Sequence, residues 1–157
     1  MIERILSGGQ TGVDRAALDF AIERGIPHGG WCPKGRKAED GPIPAQYRLT
    51  EMPTEDYGAR TRKNVEAADG TLIIKRGELK GGTGYTAEIA QELGKPLYLL
   101  DADEPLNRAS FEAWVQTHRI KVLNVAGPRE SQCPGIYQKV KEVLQSQAIF
   151  AAAPKAQ

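Results

Sequence analysis

The sequence predicts an α/β fold in a single domain, a mostly parallel sheet with helices on both faces. Short continuous apolar runs recur along the chain, each followed by a glycine-bearing turn and then by apolar residues at helical spacing. The length of 157 residues suits one domain and leaves no room for two of ordinary size.

The first unit is the strand Arg4-Ile5-Leu6, the turn Ser7-Gly8-Gly9-Gln10-Thr11-Gly12 and a helix from Val13 to Arg24. Val13, Ala16, Ala17, Phe20 and Ala21 form one apolar helix face, and Gly25 and Pro27 supply the stop. Pro27 to Pro53 follows, rich in Gly, Pro and charge and with little periodicity. It is too long for a passive connection and reads as a functional loop. The second unit starts with the strand Thr71-Leu72-Ile73-Ile74 and passes Gly77 and Gly81-Gly82-Thr83-Gly84. It enters a helix that buries Thr86, Ile89, Ala90 and Leu93 and is closed by Gly94 and Pro96. Leu97-Tyr98-Leu99-Leu100 reads as a short buried strand. Pro105 to His118 reads as a helix with Leu106, Ala109, Ala113 and Trp114 inward. The last unit is Val122-Leu123-Asn124-Val125, the turn Ala126 to Ser131, and a helix burying Ile136, Val140, Val143 and Leu144. The domain is expected to span 1–147, with 148–157 a frayed tail.

Composition narrows the function. A net charge of +1 gives no overall electrostatic reason to expect nucleic acid or an acidic membrane surface as partner. Hydrophobic residues at 40% and charged residues at 26% are those of a globular domain rather than a disordered chain. The two cysteines, Cys32 and Cys133, do not make a disulfide scaffold and fit a reducing compartment. No apolar run approaches the roughly 20 residues of a membrane span, and the N-terminus lacks a signal-peptide core. A cytoplasmic protein is expected. His28 and His118 show no metal-ligand spacing with the cysteines, so no structural metal is predicted, and no G-x-S-x-G elbow marks a serine hydrolase.

The candidate binding residues gather on the turns. In an open α/β sheet such turns lie at the carboxyl edge of the strands, where ligands bind. Gly8, Gly9, Gln10, Thr11 and Gly12 open the first helix, where free amides attract an anion. The spacing is neither the dinucleotide fingerprint nor a P-loop, and a tight turn needing small residues explains it equally well. Asp14 in the first turn reads as a cap or a partner of the helix dipole. Gly81, Gly82, Thr83 and Gly84 repeat the arrangement, so two glycine-rich helix starts could hold the two ends of a bulky anion. Glu88, one turn later, faces either that site or solvent. Arg60 and Asn64 stand four apart on one helix face, a forked donor beside an amide, suited to an oxyanion or to ordinary surface pairing. Lys34 and Arg36 precede Glu39 and Asp40 in the long loop, where they could meet a ligand with phosphate and donor edges or form a solvated charge run. Cys32 beside this basic cluster is either an activated thiol or a buried one. Arg129, Glu130 and Ser131 complete the third turn.

These motifs resemble the molybdenum cofactor carrier proteins, a family with a Rossmann-like fold. The resemblance covers about Ile5 to Val143. It rests on Ser7 to Asp19, on His28 to Arg36 with Ala38 to Gly41, and on Arg60-Thr61 with Asn64-Val65. It continues through Gly81-Gly82-Thr83, Leu123 to Ser131 and Pro134 to Tyr137. It implies a protein that binds molybdenum cofactor as cargo, protects it and passes it to molybdoenzymes, and that forms a homo-oligomer, often a tetramer. In the site so implied, the two glycine-rich starts take the anionic groups, while Glu39, Asp40 or Glu130 accepts from the pterin amine.

Arg60 to Glu88 is also similar, more distantly, to the lysine-decarboxylase-like phosphoribohydrolases, which cleave the N-glycosidic bond of nucleoside monophosphates. Their P-G-G-x-G-T-x-x-E pattern is met by Gly81, Gly82, Gly84 and Glu88, but Lys80 replaces the Pro and Tyr85 the Thr. That resemblance implies a catalytic pair, Arg60 and Glu88, and a nucleotide hydrolase or nucleotide sensor as the alternative function.

Overall fold

The computed structural model describes residues 1–104, 107–147 and 149–150. Its centre is a five-stranded parallel sheet. β1 (Arg4–Leu6) lies between β2 (His28–Gly29) and β9 (Val122–Ala126), and β7 (Gly70–Lys75) lies between β9 and β8 (Leu97–Asp101). Ile5 stands opposite Leu123 across β1 and β9, and Thr71 opposite Asn124 across β7 and β9. The chain runs outward from β1 to β2 on one side and from β7 to β8 on the other. The last strand, β9, is inserted between the two halves. Such a divergence opens a crevice at the carboxyl ends of the strands.

Strand alternation sends side chains to both faces, and the helices cover them. On one face α1 (Val13–Arg24) packs against α5 (Ile136–Gln145). Val13, Ala16, Ala17 and Phe20 meet Leu72, Ile74 and Val125 of the sheet there, with Phe111 and Val115 from α4 (Arg108–Thr117). On the other face α2 (Tyr57–Ala67) packs against α3 (Gly81–Glu92) through Val65, Ile89 and Ala90. This is a Rossmann-like single domain, as the sequence predicts.

Four details differ from the expectations. First, Gly81 to Gly84 is not a turn before α3 but its first turn. Second, the Leu97 to Leu100 run is the edge strand of the sheet, with Leu99 44% exposed, because among the described residues no strand flanks β8 on its outer side. Third, α4 buries Phe111 and Val115, while Ala109 and Ala113 are exposed. The larger side chains claim the inward face, where Phe111 stacks on Trp114 and meets Tyr98 edge-on. Pro105 and Leu106 lie outside the described residues. Fourth, the packed chain does not stop at 147: Ile149 and Phe150 are buried, and Phe150 bridges Ile2 and meets Phe20 edge-on. Residues 148 and 151–157 of the expected tail lie outside the described residues.

The segment from Pro27 to Pro53 builds a small cover over the start of α1. β3 (Trp31–Cys32) pairs with β6 (Thr50–Glu51), and β4 (Lys37–Ala38) forms a hairpin with β5 (Gly41–Pro42). Cys32, Ile43 and Tyr47 close on Leu18 of α1 as a second small core. Two acids of this segment fasten it down. Asp40 receives Arg15 through both guanidinium nitrogens, and Glu39 accepts from the hydroxyls of Thr11 and Ser131.

Candidate functional site

A cleft of about 340 Å³ opens at the carboxyl edge of the sheet, between the turn after β1, the end of β9, and helices α2 and α3. At its floor Asp14, 6% exposed, meets Arg60 from α2, with Nη1 to Oδ2 at 3.4 Å. The same Oδ2 accepts from the Gln10 backbone N–H at 3.3 Å, while Oδ1 accepts from no described residue. Burial pushes the Asp14 carboxyl up to about 6, against the opposing pull of Arg60, the Gln10 amide and Arg15. Arg60 has no room to retreat. Its guanidinium lies on Gly8, where a Cβ would stand 1.5 Å from Nη1, and faces the Tyr57 ring at 5.5 Å. Its Nε is buried with no hydrogen-bond partner, which leaves a cationic donor in the cleft wall only partly satisfied.

The start of α3 forms the opposite wall. No side chain caps this helix, no acid stands in its first turn, and Gly81, Gly82 and Thr83 line the cleft. A Cβ at Gly81 or Gly82 would meet nothing within 4 Å, so packing does not demand glycine there. The result is an open helix N-terminus facing Arg60 and Arg129 across the cleft. Tyr57 and Tyr85, 42% and 38% exposed, supply flat apolar surface along the same cleft.

The structure brings together Gly8, Gln10, Arg60, Asn64, Gly81, Gly82, Thr83 and Arg129 as lining residues, and leaves the other predicted ones outside. The first glycine turn is closed by the protein itself. A Cβ at Gly9 would strike Leu49 and Ile43 of the covering segment, and one at Gly12 would stand 2.5 Å from the Pro128 carbonyl. The first helical N–H of α1, on Val13, donates to that carbonyl. Thr11 is taken up by Glu39 and by the Glu130 amide. Of the two glycine-rich helix starts expected to hold a bulky anion, that of α3 lines the cleft with Gly81, Gly82 and Thr83, and that of α1 with Gly8 and Gln10.

Other predicted ligands have structural employment. Arg36 spends its guanidinium on the carbonyls of Ile43, Pro44, Tyr47 and Leu49. Lys34 is exposed and outside the cleft. Asn64 lines the cleft, but its amide pairs with both backbone groups of Trp31, at 2.8 and 3.0 Å, and pins β3. Glu130 caps the start of α5 by accepting from the amides of Gly135 and Tyr137. Ser131 donates to Glu39, and Gly84 is not among the lining residues. Glu39 and Asp40, expected as acceptors for a pterin amine, are engaged by Ser131, Thr11 and Arg15. For Glu39 burial opposes ionisation, but the bonds from Ser131 and Thr11 outweigh it and hold the carboxyl below its usual range. Glu88 is exposed and is not among the residues that line the cleft with Arg60. Cys32 is buried, and burial pushes its thiol up rather than activating it.

Sequence reasoning missed Asp14 as a site residue, and with it Tyr57, Thr61, Tyr85 and Asn124. Tyr57, Arg60, Thr61 and Asn64 stand at i, i+3, i+4 and i+7 of α2, so extending the Arg60 and Asn64 face by one turn would have found Tyr57 and Thr61. Asn124 hides in an apolar strand, where its Nδ2 donates to Thr71 Oγ1 at 3.3 Å.

The sequence profile of the circularly permutated YpsA SLOG family matches residues 5–148. No curated protein matches the chain. Among solved structures, the chain is similar to the crystal structure of the "Putative molybdenum carrier protein" of Syntrophus aciditrophicus SB. The two share 51% identity with a TM-score of 0.88, over 92% of this chain and 93% of that one. Match and likeness both span nearly the whole fold, the cleft included, and the chain belongs to the circularly permutated YpsA SLOG family, the family of proteins named as molybdenum carriers that its motifs resemble.

Proposed function

We propose that this protein binds molybdenum cofactor in the cleft, as cargo rather than as a resident group, and protects it for delivery to molybdoenzymes. The observation that carries the reading is the cleft itself. A half-buried Arg60 with a buried, unpartnered Nε and an uncapped α3 start provide for anionic groups. The free Oδ1 of Asp14 and the rings of Tyr57 and Tyr85 provide for a heterocycle with N–H donors. Molybdenum cofactor presents both chemistries, a phosphate and an oxo-dithiolene end joined to a pterin. The name of the similar Syntrophus aciditrophicus protein points the same way. Within this reading the protein is non-catalytic, works in the cytoplasm and assembles as a homo-oligomer such as a tetramer. The position of Glu88 outside the cleft supports carriage over N-glycoside hydrolysis.

Anaerobic titration of the purified protein with isolated molybdenum cofactor, with a nucleoside monophosphate as competitor, tests the reading. Saturable binding that the nucleotide fails to displace, with slowed decay of the bound cofactor, is the expected result. Absence of binding, or hydrolysis of the nucleotide, would overturn it.

A further inference from the structure

Beneath the general reading of the cleft lies a question of selectivity: which side chain recognises the heterocycle. The three acids expected to accept from a pterin amine are already engaged. Glu39 holds Thr11 and Ser131, Asp40 holds Arg15, and Glu130 caps α5. Asp14 differs from all of them. It is buried, it lines the cleft, and only its Oδ2 is occupied, by two long contacts of 3.3 and 3.4 Å. A buried carboxylate with an open oxygen carries the cost of desolvation without full compensation, and a donor from a ligand would supply what is missing.

We infer that Asp14 is the specificity-determining residue of the cleft, and that its Oδ1 accepts an N–H from the exocyclic amino group of a 2-amino-4-oxo pyrimidine edge, the edge shared by pterins and guanine. The inference deepens the carrier reading and rests on it for the place of the ligand. Oδ2 stays with the Gln10 amide and Arg60 Nη1, so the carboxylate is held in one orientation and cannot turn to suit a different edge. Arg60 is in turn pressed between Gly8 and Tyr57, which holds the pair in place. Heterocycles that present a carbonyl or a hydrogen where the amino group stands keep a ring N–H but lose the exocyclic donor to Oδ1, and binding falls accordingly.

The same geometry determines what an Asp14→Asn variant does. The Gln10 amide and Arg60 require an acceptor at the Oδ2 position, so the amide nitrogen of Asn takes the Oδ1 position. An acceptor becomes a donor, and the amino group of the ligand then meets a donor.

The test uses the full chain and two pairs of ligands that differ at the 2-position, followed by calorimetry. Pterin-6-carboxylate is compared with lumazine-6-carboxylate, and guanosine monophosphate with inosine monophosphate. The wild type is expected to prefer the 2-amino member of at least one pair by roughly tenfold or more. Preference within the pterin pair alone assigns the edge to a pterin, and preference within the purine pair alone assigns it to guanine. In Asp14→Asn the preference should vanish while affinity for inorganic phosphate is kept or raised, since a negative charge beside Arg60 has gone. Circular dichroism confirms that the variant folds, and the wild-type comparison stands without it. Equal affinity within both pairs overturns the inference, as does a preference that survives in a folded Asp14→Asn. If isolated molybdenum cofactor binds while neither pair is discriminated, the inference alone fails and the carrier reading stands. If the cofactor and all four ligands fail to bind, both fail.

Discussion

Arg60 Nη1 and Asp14 Oδ2 meet at 3.4 Å on the floor of the cleft, a buried ion pair whose guanidinium leaves Gly8 no room for a side chain. The two residues stand 46 positions apart in the chain, on helices that follow different strands. Among the described residues the pair leaves Asp14 Oδ1 and the buried Arg60 Nε without a partner, and a pair so incompletely satisfied is more costly to the free protein than to a liganded one.

That cost has a pH signature. The Asp14 carboxyl is raised from 3.8 to about 6 by burial, with Arg60 and Arg15 opposing the rise. A carboxyl that is raised in the folded state contributes stability below its unfolded value, and that contribution is lost as pH climbs through about 6. An Asp14→Asn variant lacks this titration. Between pH 4 and pH 7.5 the wild type is therefore expected to lose roughly 2 kcal/mol relative to the variant. Urea unfolding of both proteins across that range measures the difference, and parallel pH profiles would contradict the assigned titration.

Glycines on the two sides of the cleft should respond in opposite ways. Gly8→Ala places a Cβ on the Arg60 guanidinium and must push it out of the wall, so anion binding falls and the protein loses stability. Gly82→Ala meets nothing within 4 Å and removes a poor helix former, so the melting temperature should hold or rise slightly. If the start of α3 seats the anionic end of the ligand, the added methyl weakens binding without loss of stability. Melting curves and phosphate or cofactor titrations of the two variants give the comparison, and unchanged binding in Gly82→Ala would move the anion away from α3.

Arg36 and Lys34 are neighbours in sequence with different work. Arg36→Ala removes donors to four backbone carbonyls of the covering segment and should cost roughly 2–4 kcal/mol, with faster hydrogen exchange across 37–50. Lys34→Ala, exposed and outside the cleft, should change neither stability nor ligand affinity. A clear loss of affinity in Lys34→Ala would mean that the covering segment reaches the ligand.

Arg60 and Glu88 should also separate. Arg60→Ala removes the partly satisfied cation of the cleft, and ligand affinity is expected to drop by roughly 1.5–3 kcal/mol. Glu88→Gln, on the exposed face of α3, is expected to leave affinity within error of the wild type. Equal effects of the two substitutions in a binding titration would restore them as a functional pair.

The sequence alone determined the strand–turn–helix units built on β1, β7 and β9, the extent of α1 and its apolar face, and the turns on which the cleft lies. These are local matters: helical spacing places Val13, Ala16, Ala17 and Phe20 on one side whatever surrounds them, and Gly25 ends the helix in its own left-handed conformation. Arg60 and the α3 glycines were legible for the same reason, as chemical types at the start or on one face of a helix. The tertiary structure decided which polar groups remain available. Glu39 and Ser131 are 92 positions apart, and Arg36 meets carbonyls up to 13 positions away, contacts that no local pattern encodes. Most of the charged residues gathered near the turns are consumed by such contacts, because a buried or half-buried polar group is stable only with a partner. Asp14 reads locally as a helix-start acid, and it becomes the open acceptor of the cleft only because α2 delivers Arg60 to one of its oxygens and nothing to the other.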